Sequence, residues 1–322
     1  MSSSSTSQPP PPAVLLHGYG AGLGFFFNNL PALGSWAAKR RTSVYALDWL
    51  GMGRSARPSF SINAKKEDVP GRVEKAESFF INSLEEWREA MGLTKMTLIG
   101  HSLGAYFTVA YALKYPDRVN KLILLSPAGV PRGPNWTDPS RELVDVPTTH
   151  TDRPASFHKA TKKETKRIEQ EKQETNRTRR LLMYLWEEGW SPFQVIRSTL
   201  FWSPLLIGKY SSRRFPTLTL SETRDIHDYI LNITLSKGSG EYCVSHILEF
   251  GAYARMPLVE RITKLPKGLP VTFVYGDQDW MDPAGGFESV ERLRQAGNPN
   301  GKMHIIPDAG HHCEFLVLSL HV

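Results

Sequence analysis

Ser102 is the residue of this sequence whose neighbours most clearly suggest chemistry. It stands in Gly100-His101-Ser102-Leu103-Gly104, after an apolar run and before an apolar helical pattern. Glycines at these positions allow a turn too tight for side chains, so that the hydroxyl projects above a strand end and helix amides face the reacting group. Serine is also a favoured helix N-cap. The glycines alone leave both interpretations open, but the strand and helix on either side favour a nucleophile.

A nucleophilic serine needs a base to take its proton and a carboxylate to orient that base. In hydrolases built on such a turn, the acid and then the histidine follow the serine along the chain. Asp277 and Asp279 come just after an apolar run, and His311 and His312 come after the next one. The required order is therefore present, with more than one candidate for each role.

Backbone N–H donors that would stabilise the oxyanion are also expected beside the serine. The segment His17-Gly18-Tyr19-Gly20 ends the first apolar run, where a loop that binds an oxyanion belongs. The amide of Leu103 would supply one hydrogen bond to the oxyanion, and the amide of Tyr19 or Gly20 would supply the second.

The elements that must position these residues are short apolar runs that alternate with helical patterns. Two helical patterns, at 73–91 and 103–115, carry apolar residues at three- and four-residue steps. This alternation predicts an α/β fold with a mainly parallel sheet covered by helices on both faces, and ligands on such sheets gather at the carboxyl ends of the strands. The predicted strands are 13–16, 43–47, 96–99, 121–125, 271–275 and 303–306.

The alternation stops between residues 131 and 269, which we interpret as a helical cap inserted between core segments 13–130 and 270–322. Within it, residues 159–180 hold nine basic residues and four glutamates; this insert is either a solvated or disordered segment or a contact for lipid headgroups. Residues 181–208 are rich in Leu, Trp and Phe. They are either buried cap helices or a membrane interface that uses Trp186, Trp190 and Trp202.

The net charge and the number of cysteines limit the classes of protein to which this chain can belong. The 322 residues carry a net charge of +7 and two cysteines, which excludes a disulfide framework and favours a reducing, intracellular setting. The positive charge suits an anionic membrane surface, whereas we find no nucleic-acid-binding motif. No run is long enough to span a bilayer. Residues 1–12 lack the features of a signal peptide and are expected to form a disordered leader.

Together, these segments resemble the α/β-hydrolase superfamily. The chain is most similar to the lipid-droplet co-lipase branch related to comparative gene identification proteins, with its fungal mitochondrial cardiolipin-specific deacylases. The similar segments are HGYGAGLGFFFNNL (17–30), DWLGMGRS (48–55), IGHSLGAY (99–106), EYCVSHILEFGAYARMPL (241–258) and YGDQDWMDPAGG (275–286).

The resemblance assigns roles to single residues. It implies that Ser102 is the nucleophile, His311 the base and Asp279 the acid, with Asp277 and Asp282 as rival acids. It implies backbone roles for Gly18, Gly100 and Gly104 in the loop and the tight turn. Other polar residues are expected to be structural, and these are His101, His312, Asp48 and Arg54. The N-terminal strands and the closing C-terminal helix of the family are expected to be missing.

The resemblance further implies a serine hydrolase that needs no metal or organic cofactor and cleaves acyl esters of membrane phospholipids such as cardiolipin, at a mitochondrial or other lipid membrane. A second hypothesis is acyl transfer from acyl-CoA to lysophosphatidic acid. It is weakened because the His-X-X-X-X-Asp motif attributed to that activity is absent: Leu316 and Val317 stand five residues beyond the two histidines. A third hypothesis is a catalytically weak, lipid-bound regulator.

Overall fold

A computed structural model of the chain describes residues 9–134, 136, 177–199, 202–214 and 218–312. Six parallel strands form one sheet in the order β2-β1-β3-β4-β5-β6, which confirms the predicted sheet. The first and last strands in this order are only partly buried, as expected at sheet edges. The strands are β1 (Ala13–Leu16), β2 (Val44–Leu47), β3 (Met96–His101), β4 (Val119–Leu125), β5 (Val271–Gly276) and β6 (Gly301–Ile306).

The strand order brings two loops of interest together. Strand β1 lies between β2 and β3, and Leu16 at its end is in register with Leu47 on one side and Gly100 on the other. The chain therefore leaves β1 toward one edge of the sheet and later returns to its opposite side, which opens a crevice above the carboxyl ends of β1 and β3. The loop 17–20, which follows β1, and Ser102, which follows β3, both lie at this crevice.

Three helices of the first half cover the sheet, and these are α1 (Leu30–Arg40), α2 (Val69–Ala90) and α3 (Leu103–Lys114). Helix α2 begins four residues before its predicted start because the Asp68 side chain caps it by accepting the Gly71 N–H. Its predicted apolar stripe is buried except for Trp87, which is half-buried, and Phe80 packs against the rings of Trp49 and Phe107. Helix α3 is buried on almost every side, which explains its nearly continuous apolar sequence.

The described part of segment 131–269 is mostly helical, and its helices are α4 (Arg177–Glu187), α5 (Pro192–Ser198), α6 (Ser203–Arg214), α7 (Leu220–Leu235), α8 (Val244–Ile247) and α9 (Leu258–Arg261). A small apolar cluster joins these helices to the loop after β1, with Phe25 buried against Ile207, Ile226 and Ile230. After β5, α10 (Ala284–Gln295) leads to β6.

Parts of the predicted domain organisation lie outside the described residues. These include residues 1–8 of the leader, residues 159–176 of the basic insert and residues 313–322. Residues 9–12, which we assigned to the leader, lie against the sheet. The Pro10 carbonyl accepts a hydrogen bond from the Thr42 hydroxyl, and the Pro12 carbonyl accepts one from the Thr97 N–H. Among the described residues, no helix is long and apolar enough to cross a membrane.

Candidate active site

Ser102 stands in a strained turn between β3 and α3. Its backbone has φ 54° and ψ −121°, and its side chain does not cap the helix. A Cβ on Gly100 would lie 2.6 Å from the Cα of Ala105, and a Cβ on Gly104 would lie 2.3 Å from the carbonyl oxygen of His17. Both glycines are therefore required by close approach of backbone, and the strained serine is typical of a functional position.

The structure brings the three principal candidates together. His311 Nε2 lies 3.0 Å from Ser102 Oγ, and His311 Nδ1 lies 3.0 Å from Asp279 Oδ1. The same carboxylate oxygen accepts the Met281 N–H, and the Asp279 side chain is fully buried. Because an ionised carboxylate only accepts, Nδ1 carries the imidazole proton and Nε2 is left to accept from the serine hydroxyl.

The two rival acids have structural contacts instead. Asp277 Oδ1 accepts the Ala309 N–H at 3.2 Å, which ties the loop after β5 to the loop after β6. Asp282 Oδ1 accepts the Ala284 N–H at 2.8 Å, at the start of α10. Of the three aspartates after β5, the structure thus places Asp279 on the His311 ring.

Aromatic rings surround the histidine. His101 is buried, and its Nε2 lies 3.0 Å from the His311 carbonyl oxygen. The His312 ring stacks on Phe25 at 5.9 Å and lies 4.5 Å from the His101 ring. Trp280, for which the sequence shows no functional signal, packs with its ring centroid 5.1 Å from that of His311. These contacts hold the loop after β6 over the serine.

The loop 17–20 is anchored by a buried histidine. His17 Nδ1 lies 2.8 Å from the Gly18 carbonyl, and its Nε2 accepts the Trp49 N–H at 3.2 Å. Burial lowers the pKa of His17, which keeps the ring neutral as this bonding pattern requires. A Cβ on Gly18 would lie 2.8 Å from the Cβ of Ser102, so the loop that carries the amides of Tyr19 and Gly20 passes directly beside the serine.

A cap residue covers this loop. Gly20 has φ +73°, and a Cβ there would lie 2.4 Å from the ring of Phe193 in α5. The Phe193 ring also packs on Tyr19 at 5.2 Å. Phe193 could not be identified from the sequence, because nothing near residue 193 indicates a contact with residue 20.

Asp48 joins the loops on the far side of the site. Its Oδ1 accepts the Leu23 N–H at 2.6 Å and its Oδ2 accepts the Arg54 N–H at 2.9 Å. Both contacts use backbone donors, so the carboxylate organises the loops after β1 and β2. Neither side chain takes part in the hydrogen bonds among Ser102, His311 and Asp279.

The model of the alpha/beta hydrolase fold family matches residues 11–313. A probable 1-acylglycerol-3-phosphate O-acyltransferase of Oryza sativa is 34% identical over 304 residues, which are 92% of this chain and 62% of that protein. The human (lyso)-N-acylphosphatidylethanolamine lipase is 32% identical over 85% of this chain and 66% of its own length. Among solved structures, a bacterial membrane phospholipase A matches 96% of this chain and 75% of its own, with TM-score 0.54 and 19% identity.

These matches extend over nearly the whole chain, although the chain spans only about six tenths of the length of the plant relative. The family model covers both segments that carry the candidate residues, the one around Ser102 and the one around His311. The chain therefore belongs to the alpha/beta hydrolase fold family, in the branch of its lipid-acting relatives.

Proposed function

We propose that the chain is a serine hydrolase that cleaves acyl esters of membrane phospholipids through an acyl-enzyme. The observation that carries this proposal is the continuous hydrogen-bonded row of Ser102, His311 and Asp279, with 3.0 Å at each step. The similarity to a lipase and an acyltransferase of phosphate-bearing lipids supports a lipid ester as substrate.

In the proposed mechanism, Ser102 Oγ attacks the ester carbonyl while its proton moves to His311 Nε2. The resulting imidazolium is stabilised by the Asp279 carboxylate, and the amides of Leu103 and of Tyr19 or Gly20 donate to the oxyanion. The ester C–O bond then breaks, and His311 returns the proton to the departing alcohol. Water attacks the acyl-enzyme in the second half, again with His311 as base, and releases the fatty acid and free Ser102.

A fluorophosphonate probe and a phospholipid assay test the proposal together. The wild-type chain should be labelled and should release fatty acid from vesicles that contain cardiolipin, and Ser102→Ala should do neither. Ser198→Ala is the matched control, because Ser198 is exposed and its hydroxyl donates to the Val195 carbonyl of the same helix. Unchanged fatty-acid release by Ser102→Ala would contradict the mechanism, and absence of labelling in the wild type would favour a non-catalytic regulator.

Acyl transfer is the second candidate, because the Oryza relative is named for that activity. It would use the same acyl-enzyme, with the hydroxyl of lysophosphatidic acid in place of water. Incubation with labelled acyl-CoA and lysophosphatidic acid separates the two: transfer of label to the lipid without release of fatty acid would favour the transferase.

We also propose that the cap binds the membrane surface, with cardiolipin-bearing mitochondrial membranes as the expected site. Several large apolar side chains on α4–α6 and the adjoining turns are exposed. They are Leu181, Leu182, Met183, Tyr184, Trp190, Trp202, Leu205, Leu206 and Tyr210. Exposed Leu, Trp and Tyr side chains on a basic protein are typical of interfacial binding.

Vesicle co-sedimentation tests the membrane proposal. Trp202 and Leu205 are each 67% exposed, so glutamate at either position should not disturb packing but should weaken binding by about tenfold or more, since each buried side chain contributes about 1.5–3 kcal/mol. Met91→Glu is the control, because Met91 is exposed at the far end of α2. Equal loss of binding in the control, or no loss in the cap variants, would contradict this surface.

A further inference from the structure

Two N–H groups of the loop after β1 are unused within the described part of the chain. There, the N–H groups of Tyr19 and Gly20 donate no hydrogen bond, whereas the next one, that of Ala21, donates to the Gly18 carbonyl oxygen at 3.4 Å. The loop passes beside Ser102, since a Cβ on Gly18 would lie 2.8 Å from the Cβ of the serine. Unused donors beside a nucleophile suit an oxyanion if the loop holds them in one direction.

The core fixes the start of this loop. His17 Nε2 accepts the Trp49 N–H at 3.2 Å, and the Trp49 indole N–H donates to the His17 carbonyl oxygen at 2.9 Å. Gly20, three residues further on, has φ +73° and no Cβ, so its backbone is free to adopt many conformations. The direction of its N–H group therefore depends on what packs against it.

The cap supplies the contact at Gly20. Three ring atoms of Phe193 in α5 would lie 2.4, 3.1 and 3.6 Å from a Cβ on Gly20, so the ring occupies the space in which a side chain of residue 20 would lie. The same ring packs on that of Tyr19, with 5.2 Å between the centroids. One side chain of the cap thus contacts both residues whose N–H groups are unused.

The Tyr19 side chain is itself enclosed by the cap. Its hydroxyl oxygen is buried and lies near the side chains of Ser191, Arg197 and Glu241. Burial, and after it the neighbouring Cys243 and Glu241 side chains, raise the pKa of Tyr19 well above its usual range. The phenol is therefore neutral at physiological pH, and Tyr19 stays docked in the cap without a buried charge.

Helix α5, which carries Phe193, is joined to the core. Arg197 in α5 forms an ion pair with Glu241 at 2.5 Å, and the other Glu241 oxygen accepts the Ser239 N–H at 2.7 Å. The Ser239 hydroxyl donates to the Pro58 carbonyl oxygen in the loop after β2. This row of contacts fixes α5, so the ring that it carries is a rigid support for the loop after β1.

We propose that Phe193 is a positioning residue, whose ring holds the loop after β1 so that the N–H groups of Tyr19 and Gly20 face the oxyanion formed at Ser102. The inference rests on the proposed hydrolase function and assigns to the cap a part in transition-state stabilisation. Donors that are held in advance stabilise the transition state because they need not reorganise when charge develops. Phe193 acts through these two N–H groups and not on the reacting atoms.

The kinetics of a small soluble ester test this role. With p-nitrophenyl butyrate, Phe193→Ala should lower kcat and kcat/KM by the same factor of about 10 to 100, since the same N–H groups serve the formation and the hydrolysis of the acyl-enzyme. KM should not change. Phe193→Leu keeps an apolar side chain against Gly20 and should recover most of the loss. Val195→Ala is the control and should match the wild type, because Val195 lies on the exposed face of the same helix.

A trifluoromethyl ketone gives a second measurement that a mere loss of stability would not move. Its adduct with Ser102 carries an oxyanion, so its inhibition constant in Phe193→Ala should rise by the factor by which kcat falls. Urea unfolding midpoints establish that the variants compared are folded. A rise of kcat in Phe193→Ala would overturn the inference, because the ring would then obstruct the site.

Hydrogen exchange separates failure of this inference from failure of the hydrolase proposal. The Ala21 N–H, which is bonded across the loop, should exchange faster in Phe193→Ala than in the wild type or in Val195→Ala. Unchanged exchange together with unchanged kcat would overturn the inference and leave the hydrolase standing. A wild type that hydrolyses no ester, cardiolipin included, would end the hydrolase proposal and with it the role of Phe193.

Discussion

Substitution of Gly100 by alanine is expected to damage the site without removing any catalytic group. The new Cβ would lie 2.6 Å from the Cα and 2.7 Å from the nitrogen of Ala105, whereas ordinary contacts lie at 3.4–4 Å. The atoms that it meets belong to backbone, so α3 must move by about 0.8 Å or more. Such overpacking costs about 1–3 kcal/mol, and a displacement near 1 Å at a reacting group lowers the rate by about 100-fold.

The assay compares fluorophosphonate labelling rates and urea unfolding midpoints of Gly100→Ala and Gly34→Ala. Gly34 lies inside α1, and a Cβ there would meet no atom within 4 Å. The control should therefore keep full labelling and gain about 0.5–1 kcal/mol of stability from better helix propensity. Wild-type labelling by Gly100→Ala would refute the argument that the tight turn needs a glycine for close approach.

Three further predictions concern single buried or partly buried groups. Asp279→Asn should lower kcat by about 10³–10⁴ because the base loses its orienting carboxylate, whereas Asp277→Asn keeps its contact with a backbone N–H and should stay near wild type in the same kinetic assay. Burial and two neighbouring guanidinium groups lower the pKa of His246 to about 4 from 6.5. The folded state therefore resists protonation, so wild-type stability should fall as the pH drops from 6.5 toward 4, and urea midpoints of His246→Gln should fall less. Arg261→Met would leave the Glu77 carboxylate, 8% exposed, without its guanidinium and should cost about 3–5 kcal/mol in urea unfolding; failure of Glu77→Gln to restore stability in the double variant would contradict this.

The sequence predicted the sheet well because the four strands inside it, β1, β3, β4 and β5, are largely buried, while β2 and β6 at its edges are only partly buried. A strand covered by helices on two sides is apolar at most positions, which produced the clearest runs, and weaker runs marked the two edge strands. The ends differ by one or two residues: β4 begins at Val119, two residues early, because Val119 pairs with Met96 through backbone atoms whatever side chains are present.

The sequence indicated which residue types form the candidate site and in which order they follow one another along the chain. The glycines around Ser102 indicated a tight turn, and the aspartates and histidines followed in the order that this turn requires. Only the tertiary structure decided which aspartate contacts His311, because Asp277, Asp279 and Asp282 stand in one turn and differ only in the direction of their side chains.

The contacts between the cap and the core depended on the tertiary structure alone. Phe193 lies on Gly20, and the Tyr229 hydroxyl accepts the N–H of Gly24, across separations of 173 and 205 residues. Local patterns report which side chains avoid water, but not which distant surface they will meet. The sequence by itself therefore specified the chemistry of the candidate groups, and the packing of the cap on the loop after β1 decided which side chains cover the loop beside Ser102.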